Sequence, residues 1–251
     1  MERFSSGQVE RLKRDGSLSP ATDIVFDLAA YGNMIDQRDV TRTYKANLMR
    51  IIDSTMYARR DAKIIYVSTS SVNLPEQTHY SNSKKAAEEY LSLRAKEGNN
   101  RVAIVRPYTV IGVGEQKDHL IPRLIESCLW GKEMPFVADP VHDFLDVDDF
   151  VDALLVIKDR GEFNGEIYEV GSGKQHSNQE VRGMVEKAIR RCANVRYVDN
   201  LRRYDTKNWC ANNERIVSLG WKPKFTLEQT IAKMVDKELP PLVGNKNYYL
   251  T

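Results

Sequence analysis

With 251 residues, 41% hydrophobic and 29% charged, the chain has the make-up of a globular protein large enough to bury a core as one domain or two coupled lobes. A formal net charge of +2, with lysines and arginines scattered among acids, excludes the electrostatic footprint of a nucleic-acid-binding or membrane-surface protein. Cys128, Cys192 and Cys210 lack metal-ligand spacing, no apolar run reaches membrane-spanning length, and the N-terminus is too polar for a secretory signal; the expectation is a reducing cytoplasm and no bound metal.

Residues 1–22 are polar and weakly patterned, with Val9, Leu12 and Leu18 able to support one short helix. Ile24–Leu28 reads as a buried strand ending at Ala29-Ala30-Tyr31-Gly32-Asn33. A helix over 40–58 follows, with Tyr44, Leu48, Ile51, Ile52 and Thr55 on its inner face. Lys63–Ser68 is the next strand, Tyr80–Lys96 a helix and Val102–Arg106 a strand. This alternation predicts a parallel, doubly wound sheet. Beyond Tyr108 the pattern changes. Gly112 and Gly114 mark a loop, Leu120–Trp130 a helix, and a short strand is expected near Phe136. The stretch His142–Asp149 leads into a helix with an Asp-rich first turn, as the helix dipole favours. Ile167–Val170 is a strand ending in Gly171-Ser172-Gly173, Ser177 or Asn178 caps the next helix, and Val195–Val198 is another strand. Leu219-Gly-Trp-Lys-Pro223 breaks the chain before a last helix capped at Thr226. No Pro/Gly/Ser-rich linker divides the halves, so two lobes packed across one cleft are expected.

The chemistry concentrates in residues 64–106. An apolar strand ends in hydroxyls at Ser68, Thr69, Ser70 and Ser71; a short loop leads to Tyr80-Ser-Asn-Ser-Lys84, which opens a helix; a second apolar run ends at Arg106. The i,i+4 spacing puts Tyr80 and Lys84 on one helix face. An ammonium there can lower the phenol's pKa towards neutrality, and a strand-tip hydroxyl can relay a proton.

Read together, these segments resemble the extended short-chain dehydrogenases, the nucleotide-sugar epimerase/dehydratase/4-ketoreductase family, over about Ile24 to Leu239. Val25-Phe-Asp-Leu-Ala-Ala30 is similar to the family's strand before the nicotinamide site, with Asp27 where His is usual. Asn47 matches the Asn of the central helix, and Ser68-Thr-Ser-Ser-Val72 the hydroxyl strand tip. Arg106-Pro-Tyr-Thr-Val-Ile-Gly112 resembles the passage from cofactor to substrate lobe. Asp143–Asp149, Tyr168–Gly173 and Leu219–Pro223 match later segments in the same order. The resemblance implies an incomplete Rossmann-like cofactor lobe over 23–108, a smaller mixed α/β substrate lobe over 109–251, and a non-family segment over 1–22. It also implies roles. Tyr80 is the general acid/base at a sugar oxygen, with Thr69 as its partner hydroxyl and Ser70 as runner-up. Lys84 binds the nicotinamide ribose, and Asn47 helps hold a water relay to it. Ala29, Ala30 and Tyr108 border the cofactor, NAD or NADP; Thr109, His142 and Arg202 meet a nucleoside-diphosphate sugar, with Arg202 on the pyrophosphate. Pairing through the helices of Asn47 and Tyr80 as a homodimer is the family habit.

The departures from the pattern are as informative. Ser70-Ser71 stand where family dehydratases carry Asp-Glu, so 4,6-dehydration is not expected. Asn73-Leu74 replaces a usual Tyr-Gly, and His142 replaces an anion-binding Arg. No Gly-x-x-Gly-x-x-Gly run is present to receive a dinucleotide pyrophosphate, so weak cofactor binding by this chain is expected. The reading is therefore a nucleotide-sugar epimerase or 4-ketoreductase, possible in truncated form. The alternatives are a catalytically impaired nucleotide-sugar-binding or assembly protein, and a nucleotide-binding module in which Gly171-Ser172-Gly173 cradles a phosphate.

Overall fold

The computed structural model describes residues 23–33, 36–199 and 207–239. The residues divide into two compact units. Of the described residues, one unit holds those up to Pro107 with Asp152–Val170 and Asn212–Trp221; the other holds those in Tyr108–Val151, in Gly171–Ala211 and from Lys222 onward.

The first unit is built on a four-stranded parallel sheet. Its strands are β1 (Ile24–Asp27), β2 (Lys63–Val67), β3 (Arg101–Pro107) and β7 (Asn164–Val170), in the order β1-β2-β3-β7. The register pairs Tyr66 with Asp27 on one side and with Ile104 on the other. β2 reads Lys-Ile-Ile-Tyr-Val, and Ile64, Ile65 and Tyr66 are all buried, as a strand covered on both faces requires. Ile64 and Tyr66 share a face by the two-residue period. There they pack with Ile51, Ala87, Leu91, Val102 and Ile104. Ala87 and Leu91 come from α3 (His79–Lys96), which begins one residue earlier than the sequence pattern indicates. Thr78 caps it in a reciprocal box with Ser81. Each such aliphatic side chain taken out of water contributes about 1.5–3 kcal/mol.

The helix expected over 40–58 is interrupted. It runs as α1 (Val40–Tyr44), a π turn (Lys45–Met49) and α2 (Arg50–Tyr57). Its buried residues recur every four positions, at Thr43, Asn47, Ile51 and Thr55. A 3.6-residue helix would rotate such a row steadily off the core, and the wider turn takes up that drift. The expected inner face therefore shifts: Tyr44, Leu48 and Ile52 are only partly buried.

The second unit holds β4 (Thr109–Ile111), α4 (Leu120–Trp130), β5 (Met134–Phe136), β6 (Val141–Asp146), β8 (Gln175–Ser177), α6 (Asn178–Ile189), β9 (Val195–Tyr197) and α8 (Leu227–Glu238). Helix α5 (Val147–Arg160) follows β6, and α7 (Glu214–Ser218) lies in the first unit. β6 pairs parallel with β4 and antiparallel with β8, while β5 pairs parallel with β9. The core gathers Ile121, Leu124 and Ile125 of α4, Val181 and Val185 of α6, and Ile231 and Met234 of α8. Ser177 and Thr226 each close a capping box. The stretch 142–149 leads into a helix as expected, and its first part, residues 142–146, is strand β6. The last four residues of the strand, Asp143 to Asp146, are all buried, and the helix starts at Val147. Among the described residues no helix is long and apolar enough to cross a membrane.

Candidate active site

The first unit brings several of the expected residues together at the C-terminal end of β2. Past Val67 the chain leaves the sheet at Ser68 and Thr69 and tightens into a 3-10 turn at Ser70–Asn73. Thr69 caps that turn: its hydroxyl accepts from the Ser71 amide at 3.2 Å and donates to the Ser71 hydroxyl at 3.1 Å. Tyr80 stands in the first turn of α3, and the Thr69 hydroxyl favours its phenolate form. Ser70 is buried inside the 3-10 turn. The Ser68 hydroxyl is buried without a hydrogen-bond partner, an orphaned polar atom beside the strand tip.

One turn beyond Tyr80, Lys84 is 1% exposed. Its ammonium donates to the Val67 carbonyl at 2.8 Å and lies 4.7 Å from the centre of the Tyr66 ring. Burial lowers its pKa to about 8, with Asp27 and Glu88 opposing that fall and Arg50 adding to it. Tyr80 moves against expectation. Burial pushes its phenol above the usual tyrosine value, and Thr69 offsets this only in part. Loss of solvation governs the phenol here, and the Lys84 ammonium is engaged with the Val67 carbonyl.

Asn47 is fully buried and bonded on both sides of its amide group. Its amide donates to the Tyr31 carbonyl at 2.8 Å and to the Ser83 hydroxyl at 2.9 Å, and its oxygen accepts from the Tyr31 amide at 2.9 Å. Ser83 in turn donates to the Tyr80 carbonyl at 2.8 Å. Asn47 thus ties the loop after β1 to the first turn of α3. Arg50 secures the same loop by donating to the Ala29 carbonyl at 2.9 Å, and it grips Asp27 with both guanidinium arms at 2.6 and 2.5 Å. Within that loop Gly32 takes φ +100°, and a Cβ on it would meet Thr43 at 2.9 Å. Ala29 and Ala30 are exposed at its start.

Ser83, Arg50 and Tyr66 were not singled out from sequence, and Ser68 was named only as one of four strand-tip hydroxyls. Ser83 lies inside the Tyr80–Lys84 motif and Arg50 one turn after Asn47, so spacing was the signal available for both. Asn73, the odd residue after the strand tip, accepts from Arg106 at 3.0 Å and donates to Glu169 at 2.7 Å, while Arg106 forks onto Glu88 at 3.0 and 2.6 Å. It joins the ends of β3 and β7 where the family pattern has Tyr-Gly.

In the second unit His142 pairs with His176 across β6 and β8, and its ring lies 5.2 Å from that of Trp209 and 5.8 Å from that of Phe144. Thr109 lies opposite Phe144 on the neighbouring strand, just after the half-buried Tyr108. Arg202 lies outside the described residues. The Gly171-Ser172-Gly173 turn is not a phosphate cradle. Buried Asp143 already takes the amides of Ser172 at 2.7 Å and Gly173 at 3.0 Å, together with the Ser172 hydroxyl at 2.7 Å and the Ala211 amide at 3.0 Å. A carboxylate supplied by the chain fills the anion position. Asp149 likewise accepts from the Lys224 and Phe225 amides, each at 3.0 Å, and Asp146 accepts from Thr230 at 2.6 Å. The acids of this stretch are structural knots. Among the described residues no cluster of three His, Cys, Asp or Glu could hold a metal ion.

A buried lysine thus lies one turn after a tyrosine at the C-terminal end of β2. Residues 17–171 match the NAD dependent epimerase/dehydratase family. The chain belongs to that family. Mouse dTDP-D-glucose 4,6-dehydratase is 27% identical over 212 residues, 74% of this chain and 58% of that protein. The chain therefore spans under two thirds of that relative's length. The low-salt glycan biosynthesis protein Agl12 of Haloferax volcanii is 22% identical over 93% of this chain and 81% of its own. Among solved structures, RMD from Pseudomonas aeruginosa, complexed with NADPH, superposes with a TM-score of 0.81 at 22% identity, covering 94% of this chain and 86% of that one. UDP-glucose 4-epimerase from Thermotoga maritima, with UDP-glucose, gives 0.80 at 23% identity over 94% and 82%. At these identities the structures speak for the Rossmann-like α/β fold.

Proposed function

We propose that the chain carries the acid/base half of a nucleotide-sugar epimerase or 4-ketoreductase. The observation that supports this most is the joining of Tyr80, Thr69 and buried Lys84 at one strand tip. The phenol is the group that gives a proton to, or takes one from, a sugar oxygen, and Thr69 is its hydroxyl partner. A phenol raised by burial stays protonated at neutral pH, which suits the acid direction, reduction of a ketone. Nothing in the hydroxyl turn supplies the carboxyl pair that dehydration needs, since Ser70 and Ser71 stand there.

The residues fit the nicotinamide-ribose half of NAD or NADP. Lys84 offers an ammonium that donates to the Val67 carbonyl, and Ser68, the next residue on that strand tip, offers an orphaned hydroxyl. Bound there, the nicotinamide supplies hydride exchange with a sugar carbon. Lys84 would hold the ribose, and Ala29, Ala30 and Tyr108 would border the cofactor. Ser68, Thr69 and Tyr80 would face the reacting carbon. We further propose weak cofactor binding by this chain, because no Gly-rich turn is present in its sequence. For the sugar nucleotide we keep Thr109, His142 and Arg202 as contacts, with Arg202 on the pyrophosphate.

Thermal-shift assays across UDP-, dTDP-, GDP- and CDP-sugars test the substrate class, and saturating NAD(P)H with a 4-keto sugar nucleotide tests turnover. The expected result is stabilisation by one nucleotide series and ketone reduction lost in Tyr80→Phe. Stabilisation without turnover favours the binding-protein reading, and no stabilisation by any series overturns the assignment.

A further inference from the structure

We infer that Tyr66 is a positioning residue for Lys84: its ring face holds the lysine ammonium, and its hydroxyl ties that ring to the π turn. The inference deepens the proposed function and rests on Lys84 being the cation of that site. The geometry begins with β2, where Tyr66 points to the same face as Ile64 and is fully buried under α3 and the π turn. Its hydroxyl donates to the Asn47 carbonyl at 3.3 Å, inside the segment where the wide turn disturbs the usual helical bonding. The ring cannot swing away without giving up that bond. The Lys84 ammonium sits 4.7 Å from the ring centre and 2.8 Å from the carbonyl of the next residue, Val67. One dipeptide of β2 therefore supplies both the π face and the carbonyl that receive the ammonium.

A lysine taken this far from water needs such partners to stay charged. Asp27 on β1 and Glu88 on α3 favour its protonated form, while burial and Arg50 on α2 oppose it. Asp27 is already gripped by Arg50, and Glu88 by Arg106, so both carboxylates are largely spent on other cations. The Tyr66 face has no such competitor among these charges. Tyr66 itself takes no part in proton exchange, because burial holds its phenol far above the usual range. A phenylalanine at this position would keep the ring face and lose the tether. A leucine would lose both.

The test is the titration of Lys84 in the full chain, followed by NMR of carbon-13-labelled lysine and assigned with Lys84→Arg. The series is wild type, Tyr66→Phe, and then phenylalanine bearing one, two or three ring fluorines at position 66. Fluorine drains the π face with little change in shape, so the fold is kept across the series. Tyr66→Phe is expected to leave the Lys84 midpoint close to that of wild type. The trifluorinated ring is expected to lower it by roughly one pH unit, with intermediate members in order. A midpoint that does not move with fluorine number overturns the inference, because burial and Val67 would then set the charge alone. The titration needs no turnover. A chain that turns over no sugar nucleotide, yet shows the fluorine trend, overturns the proposed function and leaves the Tyr66 role standing.

Discussion

At the scale of single residues the site sets a charge against its surroundings. Lys84 has a folded pKa of about 8 against an ordinary 10.5. A lysine so lowered binds its proton less tightly folded than unfolded. Between those two values the unfolded chain holds more protons, so this group's contribution to stability rises with pH through the window. Below pH 8 the cost of burying the charge is present in full, on the order of 3 kcal/mol. Urea unfolding of wild type and Lys84→Met at pH 7, 8.5 and 10 should therefore show wild type gaining on the variant as pH rises. A gap independent of pH would mean that the ammonium is not paying for burial. At Tyr80 the expectation is kinetic. Tyr80→Phe should reduce turnover by about a hundred- to ten-thousand-fold and leave the ligand-induced rise in melting temperature nearly intact, since the phenol is assigned to proton transfer. Single-turnover rates beside melting curves separate the two effects.

At the scale of elements, carboxylates and amides hold the loops that the strands and helices leave behind. The loop after β1 is fixed by Asn47 on the Tyr31 peptide and by Arg50 on Ala29 and Asp27. Arg50→Ala leaves the buried Asp27 carboxylate without its fork and should cost about 3–5 kcal/mol, measured by chemical denaturation. Asp27→Asn together with Arg50→Ala should recover part of that loss, because the uncompensated charge is gone. In the second unit, Asp143→Ala strips the carboxylate from three backbone amides at Ser172, Gly173 and Ala211. A loss of about 3 kcal/mol or more is expected, with faster hydrogen exchange at those amides. Unchanged exchange there would show that the turn holds itself. The Gly-Ser-Gly sequence looked like an anion site because it is one, and its occupant is a side chain of the same chain.

At the scale of the molecule, cofactor affinity is the informative quantity. A Gly-rich turn contributes three or four amide contacts of about 1–2 kcal/mol each, so a chain without one should bind NAD or NADP several hundred-fold more weakly. Calorimetry on the 251-residue chain should place the dissociation constant in the high micromolar range or above. Low-micromolar binding would mean that another set of donors has replaced the turn. A nucleoside-diphosphate sugar should raise the melting temperature more than NAD does. Arg202→Ala should erase most of that rise if Arg202 meets the pyrophosphate, the contact being worth roughly 2–3 kcal/mol.

The order of strands and helices, the family and the Tyr80–Lys84 motif could all be read from the sequence, because each is a local pattern: period two, period 3.6, or a fixed spacing along one helix face. Caps at Ser177 and Thr226 were readable for the same reason. What the side chains touch was decided elsewhere. Asn47 faces Tyr31 and Ser83 because a π turn, invisible to a 3.6-residue template, rotates it there. The Tyr80 phenol is raised because burial, a property of everything packed around it, outweighs the Thr69 hydroxyl. Asp143 fills the Gly171–Gly173 turn from 28 to 30 residues away along the chain. Strand β8 and residues 142–146 of β6 form because pairing across the sheet gives short polar stretches a partner that their own sequence does not announce. Local spacing fixes which chemistry is present, and long-range packing decides its charge state and its partners.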